Sequence, residues 1–153
     1  MGTQRKPKEF CISCGGYTKR RMYKYCSNLC QMNFQYATYI EKWKQGEVSG
    51  LTTTGIVNNP IKRFLRIKYQ DQCCLCGWSK INVTTGVTPL VADHIDGNWR
   101  NNIEGNLRLI CPNCDAISPT YAALNKGNGR RGRSVSKRTV EAREEYRKRN
   151  RIV

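Results

Sequence analysis

The spacing of apolar side chains predicts two amphipathic helices in the first half of the chain. The first has apolar residues three or four positions apart, which is the repeat of one helical face: Leu29, Met32, Tyr36, Ile40 and Trp43. A shorter helix is expected after Asn59, which is taken as its cap, with Pro60 at its first position. Its apolar residues Ile61, Phe64 and Leu65 should pack against the remainder of a small core.

Short apolar runs separated by polar turns predict a two-stranded hairpin and a short helix in the second half. Residues 90–92 and 107–110 are expected to be strands, and residues 96–98, Asp-Gly-Asn, have the composition of a turn. Pro112 suits the first turn of a helix, and Ser118 should begin another. The pattern therefore predicts the order strand, loop, strand, helix.

Changes in composition predict four segments. Residues 1–43 form an N-terminal zinc finger with its helix, and the Gly- and Ser/Thr-rich residues 44–57 are a linker. Residues 58–127 form a second domain, in which the polar stretch 79–89 is an insertion. Residues 128–153 are a basic Gly/Arg tail with a C-terminal helix.

Eight of the nine cysteines fall into two sets with the spacing of metal ligands. The first set resembles a treble-clef zinc finger, although redox-active thiols are the alternative: Cys11, Cys14, Cys26 and Cys30. The second set predicts a closed, structural zinc site: Cys73, Cys76, Cys111 and Cys114. Cys74 is then a free thiol.

Composition and charge indicate a zinc-stabilised protein with a polyanionic partner. Leu, Ile, Val and Phe make up just under a fifth of the chain, which is few for an ordinary core, so bound zinc should contribute to folding. The net charge is +16, or about +12 once two Cys₄ zinc sites are counted at about −2 each. DNA or RNA fits this charge. We expect no membrane segment and a reducing cytoplasm, such as that of a bacterium expressing its own or a phage gene.

The stretch 90–115, LVADHIDGNWRNNIEGNLRLICPNCD, contains the only histidine of the chain, His94. Together with the two flanking Cys-x-x-Cys pairs, it resembles the HNH endonuclease family over residues 60–132. This resemblance implies an α+β fold with a ββα-metal (His-Me finger) catalytic domain after the N-terminal Cys₄ finger. It also implies metal-dependent hydrolysis of DNA, by nicking or double-strand cleavage, to 5′-phosphate and 3′-hydroxyl ends.

Roles follow for four residues of this motif. Neighbouring residues on a strand face opposite ways, so His94 is predicted to be the general base and Asp93 a ligand of Mg²⁺ or Mn²⁺. Asn106 matches the family's middle asparagine, whose implied role is to hold the loop that orients the base; Asn101 and Asn102 are the alternatives. Asp115 stands where the family usually has His or Asn, and is predicted to be the second ligand of the catalytic ion.

Basic residues outside the motif are predicted to contact DNA. They lie in the hairpin between the first two cysteine pairs and in the Gly/Arg segment: Lys19, Arg20, Arg21, Lys126, Arg130, Arg131 and Arg133. Two rival functions remain open, namely a non-catalytic nucleic-acid-binding protein and a nuclease directed at RNA. A homodimer, which would allow cleavage of both strands, also remains open.

Overall fold

The part of the chain that the structure describes folds into a small α+β structure with a two-stranded sheet. A computed structural model describes residues 9–20, 22–128 and 145. Its helices and strands are α1 (Asn28–Lys44), α2 (Asn59–Lys68), β1 (Val91–His94), β2 (Leu107–Ile110) and α3 (Pro112–Ala116). Single 3₁₀ turns lie at Glu104–Asn106 and Ala122–Leu124. The predicted order strand, loop, strand, helix is confirmed, but the helix expected from Ser118 is only the second of these 3₁₀ turns.

Both long helices begin at capped residues. The Ser27 side chain accepts a hydrogen bond from the backbone N–H of Cys30 (3.2 Å), which starts α1. The cap of α2 is Asn58, whose Oδ1 accepts from the N–H of Ile61 (3.2 Å). The prediction of Asn59 as the cap was wrong by one residue, because Asn59 is already part of the helix.

One hydrophobic core joins α1, α2 and β2. Its buried members come from all three elements and from the end of the segment before α2: Ile40, Trp43, Val57, Ile61, Leu65, Leu107 and Leu109. The predicted apolar face of α1 is buried only towards its C-terminal end. Leu29 and Met32 are 66% and 62% exposed, because the first turns of α1 lie beside the first cysteine set rather than against the sheet.

The predicted linker 44–57 contains a hydrogen-bonded turn that packs on the second half of the chain. Leu51 pairs with Val57 in an isolated β-bridge, and Val57 is buried. Gly55 has a φ of +73°, and a Cβ there would lie 2.8 Å from Cζ3 of Trp99. The domain boundaries stay a prediction, but side chains from both sides of the linker share one core.

A three-residue ion cluster connects α1, α2 and the 3₁₀ turn before β2. Glu104 accepts from Lys68 (Nζ to Oε1, 2.8 Å) and pairs with Lys44 (Nζ to Oε2, 3.1 Å). Lys44 also lies over the ring of Phe64, 4.6 Å from its centroid. The cluster therefore ties both helices to the start of β2.

The insertion 79–89 is a surface loop closed at its base. Asn82 organises its tip, because its Oδ1 accepts from the N–H groups of Thr84 (2.9 Å) and Thr85 (3.0 Å). At the base, the hydroxyl of the buried Thr88 donates to the carbonyl of Ser79 (3.3 Å). The tip is fully solvated, and Val83 is 99% exposed.

Candidate active site

The first cysteine set brings four thiols together at the N-terminal end of α1. The Sγ atoms of Cys11, Cys14, Cys26 and Cys30 all lie within 4.8 Å of one another. The sulfurs of Cys14 and Cys26 are 3.6 Å apart, and those of Cys26 and Cys30 are 3.4 Å apart. A tetrahedral zinc ion with Zn–S bonds of about 2.3 Å requires sulfurs about 3.8 Å apart. The separations within the set, from 3.4 Å to at most 4.8 Å, lie on both sides of this value, so the four thiols could hold zinc, as predicted.

The second cysteine set fastens the chain before β1 to the helix after β2. Its four Sγ atoms also lie within 4.8 Å of one another, and they belong to Cys73, Cys76, Cys111 and Cys114. The sulfurs of Cys76 and Cys111 are 3.8 Å apart, the edge length of a zinc tetrahedron. Cys74 belongs to neither set and is exposed; its N–H donates to the carbonyl of Leu109 in β2 (2.9 Å).

Each set contains one thiol that is unusually easy to ionise. Burial raises the pKa of Cys73, but hydrogen bonds from the backbone at Cys111, Cys76 and Leu75 outweigh it and lower the pKa to about 6. The pKa of Cys11 is likewise lowered to about 6 by backbone hydrogen bonds that overcome burial. Backbone N–H groups directed at a sulfur stabilise the thiolate, which is the form that binds zinc.

His94 ends β1 and is held by a buried asparagine. The Nε2 atom of His94 lies 2.8 Å from Oδ1 of Asn102, which is 5% exposed. The Nδ2 atom of Asn102 donates to the carbonyls of Trp99 (3.2 Å) and Arg100 (3.1 Å), so the amide oxygen is the atom that faces the histidine. In the neutral tautomer that fits this contact, Nε2 of His94 is the donor and the lone pair of Nδ1 is left as an acceptor.

Asn106 holds the loop that follows His94. Its Nδ2 donates to Oδ1 of Asp96 (2.8 Å) and to the carbonyl of Asn101 (2.7 Å), and its Oδ1 accepts from the N–H of Asp96 (3.1 Å). Burial raises the pKa of Asp96, but hydrogen bonds from Asn101, Asn106 and the N–H of Asn98 outweigh it and lower that pKa. These contacts fit the predicted loop-holding role of Asn106, whereas the direct contact with His94 comes from Asn102, one of the alternatives.

Asp93 faces a different group of side chains from His94. Oδ2 of Asp93 accepts from Nε of Arg108, directly opposite on β2, at 2.7 Å, and the two side chains are 13% and 17% exposed. Burial, and then the negative charge of Asp93, raise the pKa of Asp115 in α3, while Arg108 opposes them. The charges of Asp93, Asp115 and Arg108 therefore influence one another where β1, β2 and α3 meet, and we call these three residues the carboxylate cluster.

This carboxylate cluster has the donor chemistry of a Mg²⁺ or Mn²⁺ site. Two carboxylates that repel each other are stabilised by a cation placed between them. Arg108 engages only Oδ2 of Asp93 among the described residues, which leaves Oδ1 of Asp93 and the carboxylate of Asp115 as ligand atoms. Asp93 and Asp115 therefore offer the oxygen donors that a divalent cation prefers, although Arg108 competes for one oxygen of Asp93.

Arg108 was missed by sequence reasoning. The available signal was a charged residue within the otherwise apolar strand Leu107–Ile110, whose neighbours Leu107 and Leu109 are buried. An arginine in such a strand must face the side opposite the core and find a partner there. The strand register supplies that partner, because it places Arg108 opposite Asp93.

The structure describes three of the seven residues that are predicted to contact DNA. Lys19 and Arg20 are exposed, and Lys19 lines a cavity of about 810 Å³ together with Tyr23, Lys24 and Tyr25. Lys126 is exposed and follows Asn125, whose Nδ2 donates to the carbonyl of Gly97 in the turn after β1 (2.7 Å). The remaining four lie outside the described residues: Arg21, Arg130, Arg131 and Arg133.

Comparison with known proteins gives one short similarity. No family model matches the chain, and no solved structure matches it. The chain is 54% identical over 39 residues to the H-N-H endonuclease F-TflIV of Escherichia phage T5. The match covers 26% of this chain and 17% of the phage protein, so the chain spans about a sixth of that relative's length. This local similarity suggests a nuclease. As a separate finding, no helix among the described residues is long and apolar enough to cross a membrane.

Proposed function

We propose that the chain is a metal-dependent HNH endonuclease that hydrolyses DNA phosphodiester bonds to 5′-phosphate and 3′-hydroxyl ends. In this proposal β1, β2 and α3 are its ββα-metal unit. The observation that supports it most is that the neighbouring residues His94 and Asp93, at the end of β1, have different partners. His94 is oriented by an amide oxygen with Nδ1 left as an acceptor, while its neighbour Asp93 contributes to a carboxylate cluster with Asp115.

His94 is proposed to be the general base. Its Nδ1 lone pair would take a proton from the attacking water, and the bond from Nε2 to Asn102 would hold the ring during that transfer. Asn106 would keep the loop closed around this pair by its contacts with Asp96 and Asn101. Histidine suits the task because the ordinary pKa of an imidazole lies close to neutral pH.

Asp93 and Asp115 are proposed to hold Mg²⁺ or Mn²⁺. The bound cation would stabilise negative charge on the scissile phosphate and on the leaving 3′ oxygen. The chain's part is to place the two carboxylates on β1 and α3. The second Cys₄ set supports that placement, because Cys111 and Cys114 lie between β2 and Asp115.

The two Cys₄ sets are proposed to bind structural zinc, with four thiolates and no open position at each. Thiolate sets of this kind require a reducing compartment, such as the cytoplasm of a bacterium infected by a phage.

We further propose DNA contacts from Lys19, Arg20 and Lys126, with Arg21 and the three arginines of the Gly/Arg segment. A monomer would nick one strand, whereas a homodimer would cut both.

A non-catalytic nucleic-acid-binding protein is the second candidate. The observation in its favour is the ion pair between Arg108 and Asp93, which occupies one of the carboxylate oxygens proposed as metal ligands. In this alternative the cluster is a structural ion pair and binds no divalent cation.

Cleavage of supercoiled plasmid separates the two candidates. The purified protein is incubated with Mg²⁺, Mn²⁺ or EDTA, and its zinc content is measured after the EDTA treatment. We expect nicked or linear DNA with either cation and none with EDTA while both zincs remain. RNA and single-stranded DNA of matched length serve as competing substrates, and RNA cleaved in preference to duplex DNA would redirect the proposal.

His94→Ala is the decisive variant. Because no second histidine exists to replace it, cleavage should fall about 10² to 10⁴-fold, the usual contribution of a general base. DNA binding and zinc content should remain as in the unaltered protein. Cleavage at an unchanged rate would refute the nuclease mechanism, and an inactive unaltered protein that binds DNA would favour the second candidate.

A further inference from the structure

We infer that Trp43 is a positioning residue for His94, so that the helix of the N-terminal Cys₄ finger is part of the active site. This inference rests on the proposed function, in which His94 is the base. It gives the finger a task beyond contact with DNA.

The contacts run from α1 to His94 through a single intermediate residue. Nε1 of Trp43 donates to the backbone carbonyl of Asn102 at 2.7 Å, across 59 positions of sequence. The side chain of the same Asn102 accepts from Nε2 of His94 at 2.8 Å. Trp43 thus fixes the backbone of the residue whose amide fixes the histidine ring.

The indole of Trp43 is itself tightly held. It is 4% exposed and packs edge-on against Phe64, with ring centroids 5.4 Å apart. Gly50 closes over it: a Cβ at that position would lie 3.0 Å from Nε1 of Trp43 and 2.3 Å from Cδ1 of Ile61. The N–H donor therefore has no room to move away from its acceptor.

Loss of the indole N–H should release Asn102 without opening the core. Trp43→Phe keeps an aromatic ring against Phe64 but leaves the buried Asn102 carbonyl without its donor. A small shift of the Asn102 backbone moves its Oδ1 away from His94. Since a misplacement of about 1 Å can cost about 100-fold in rate, we expect kcat to fall about 10- to 100-fold. KM and DNA affinity should stay within about twofold, because Trp43 and Asn102 are buried and neither is proposed to contact DNA.

The ring nitrogens of His94 can be observed directly, because the chain has no other histidine. In protein labelled with ¹⁵N-histidine, the two nitrogen resonances show which of them carries the proton. We expect a single Nε2–H tautomer in the unaltered protein and a mixture of tautomers in Asn102→Ala. In Trp43→Phe the mixture should be intermediate.

Trp78→Phe is the matched control. Trp78 is half-buried, and its Nε1 makes no hydrogen bond to any residue that the structure describes. The same chemical change there should leave both the tautomer and kcat as in the unaltered protein. Zinc content and circular dichroism confirm folding first. If Trp43→Phe does not fold, benzothienylalanine at position 43 replaces it, since that analogue has the shape of tryptophan without the N–H.

The outcomes keep this inference separate from the proposed function. A changed tautomer in Trp43→Phe together with a lower kcat and an unchanged KM supports it. An unchanged tautomer, in a folded variant that cleaves DNA at the normal rate, overturns it while leaving the nuclease intact. A changed tautomer in a protein that never cleaves DNA supports the coupling and refutes the nuclease.

Discussion

Arg108 places a permanent positive charge beside the two carboxylates proposed to bind a divalent cation. Its Nε donates to Asp93 at 2.7 Å, with both side chains largely shielded from water. Without a metal ion, the guanidinium offsets the repulsion between Asp93 and Asp115. With one, it competes for an oxygen of Asp93. The same residue should therefore stabilise the fold and weaken cation binding.

Arg108→Met tests both effects at once. Loss of the partner of a largely buried carboxylate should lower the free energy of unfolding by about 1–3 kcal/mol, measured by urea unfolding without added divalent cation. Affinity for Mn²⁺ should rise about tenfold or more, measured by titration calorimetry, because a competing charge is removed. Arg63→Met, which removes an arginine stacked on Tyr36 at 4.2 Å, is the control. Unchanged Mn²⁺ binding in Arg108→Met would show that the cluster is not the metal site, and weaker binding would show that Arg108 holds Asp93 in place rather than competing with the cation.

Individual residues were predictable where the chemistry is local. Asp93 and His94 are adjacent, and their separate partners follow from the alternation of a strand. The contact of His94 with Asn102 and that of Asp93 with Arg108 depend on how the 95–106 loop closes and on strand register. Those are tertiary properties, so the sequence left Asn101, Asn102 and Asn106 as alternatives.

The carboxylate of Glu104 connects α1 and α2 to the 3₁₀ turn that precedes β2. Glu104 pairs with Lys44 at the end of α1 and with Lys68 at the end of α2. Hydrogen bonds from Lys68 and then Lys44 lower the pKa of Glu104 despite its partial burial. A lowered carboxyl pKa contributes stability that is present above the unfolded value of about 4.3 and is lost as pH falls through the folded value.

Glu104→Gln should therefore destabilise the protein at neutral pH only. The expected loss at pH 7 is about 0.5–1 kcal/mol, because the three side chains are about a third or more exposed and solvent screens them. The difference from the unaltered protein should shrink as pH is lowered below about 4, as followed by urea unfolding at several pH values. A loss that is independent of pH would mean that Glu104 acts through packing rather than charge.

The helices were predicted well from their apolar repeat, whereas the extent of their buried faces was not. The repeat in α1 begins at Leu29, yet only Ile40 and Trp43 at its far end are buried. Periodicity identifies the face that can be buried, but the position of α2 and β2 decides how much of it is. Frequent Gly and Thr predict a linker at residues 44–57. The approach of Gly55 to Trp99 is a tertiary contact, which composition does not predict.

At the scale of the whole molecule, two thiolate sets supplement a small hydrophobic core. The described core has seven buried side chains, six from α1, α2 and β2 and the seventh from Val57 just before α2, plus a smaller cluster around Cys73, Ile110 and Cys111. Each Cys₄ set joins segments that this core does not. Metal binding free energy would therefore be folding free energy.

Elemental analysis of protein purified without added metal should find two zinc ions per chain. The reason is the two sets of four Sγ atoms within 4.8 Å of one another. Cys74→Ser should keep both zincs, whereas Cys73→Ser should lose one and unfold at a lower temperature. A single zinc in the unaltered protein, or a zinc lost from Cys74→Ser, would contradict the assignment of one set.

The basic segment that begins at Lys126 should add affinity for DNA without sequence preference. Lys126 follows Asn125, which donates a hydrogen bond to the carbonyl of Gly97 in the turn after His94. Lys126 therefore lies close to the proposed active site. Replacing Lys126, Arg130, Arg131 and Arg133 with Gln should flatten the salt dependence of binding by up to about one log–log unit per lost phosphate contact. Fluorescence anisotropy at several salt concentrations measures this slope, and an unchanged slope would exclude the contact.

The α+β class and the two metal-ligand sets were predictable because cysteine spacing is a strong local signal. The single core shared by both halves of the chain was not. It depends on Trp43 reaching Asn102 and on Ile40 sharing a core with Leu107, and no spacing rule connects residues so far apart in the sequence. Composition predicts a linker at residues 44–57, and the structure adds that this segment contains a hydrogen-bonded turn and the buried Val57.

The loop 79–89 leaves and rejoins the fold at nearly the same point, since the hydroxyl of Thr88 donates to the carbonyl of Ser79. Its tip around Val83 is surrounded by solvent, so its length is independent of the geometry of β1 and β2. It is therefore a suitable site for insertions: a fluorophore, an affinity tag or an entire guest domain placed there should leave the rest of the fold unchanged. The same property makes it the segment in which related chains should differ most in length, because additions there escape the packing constraints that apply elsewhere.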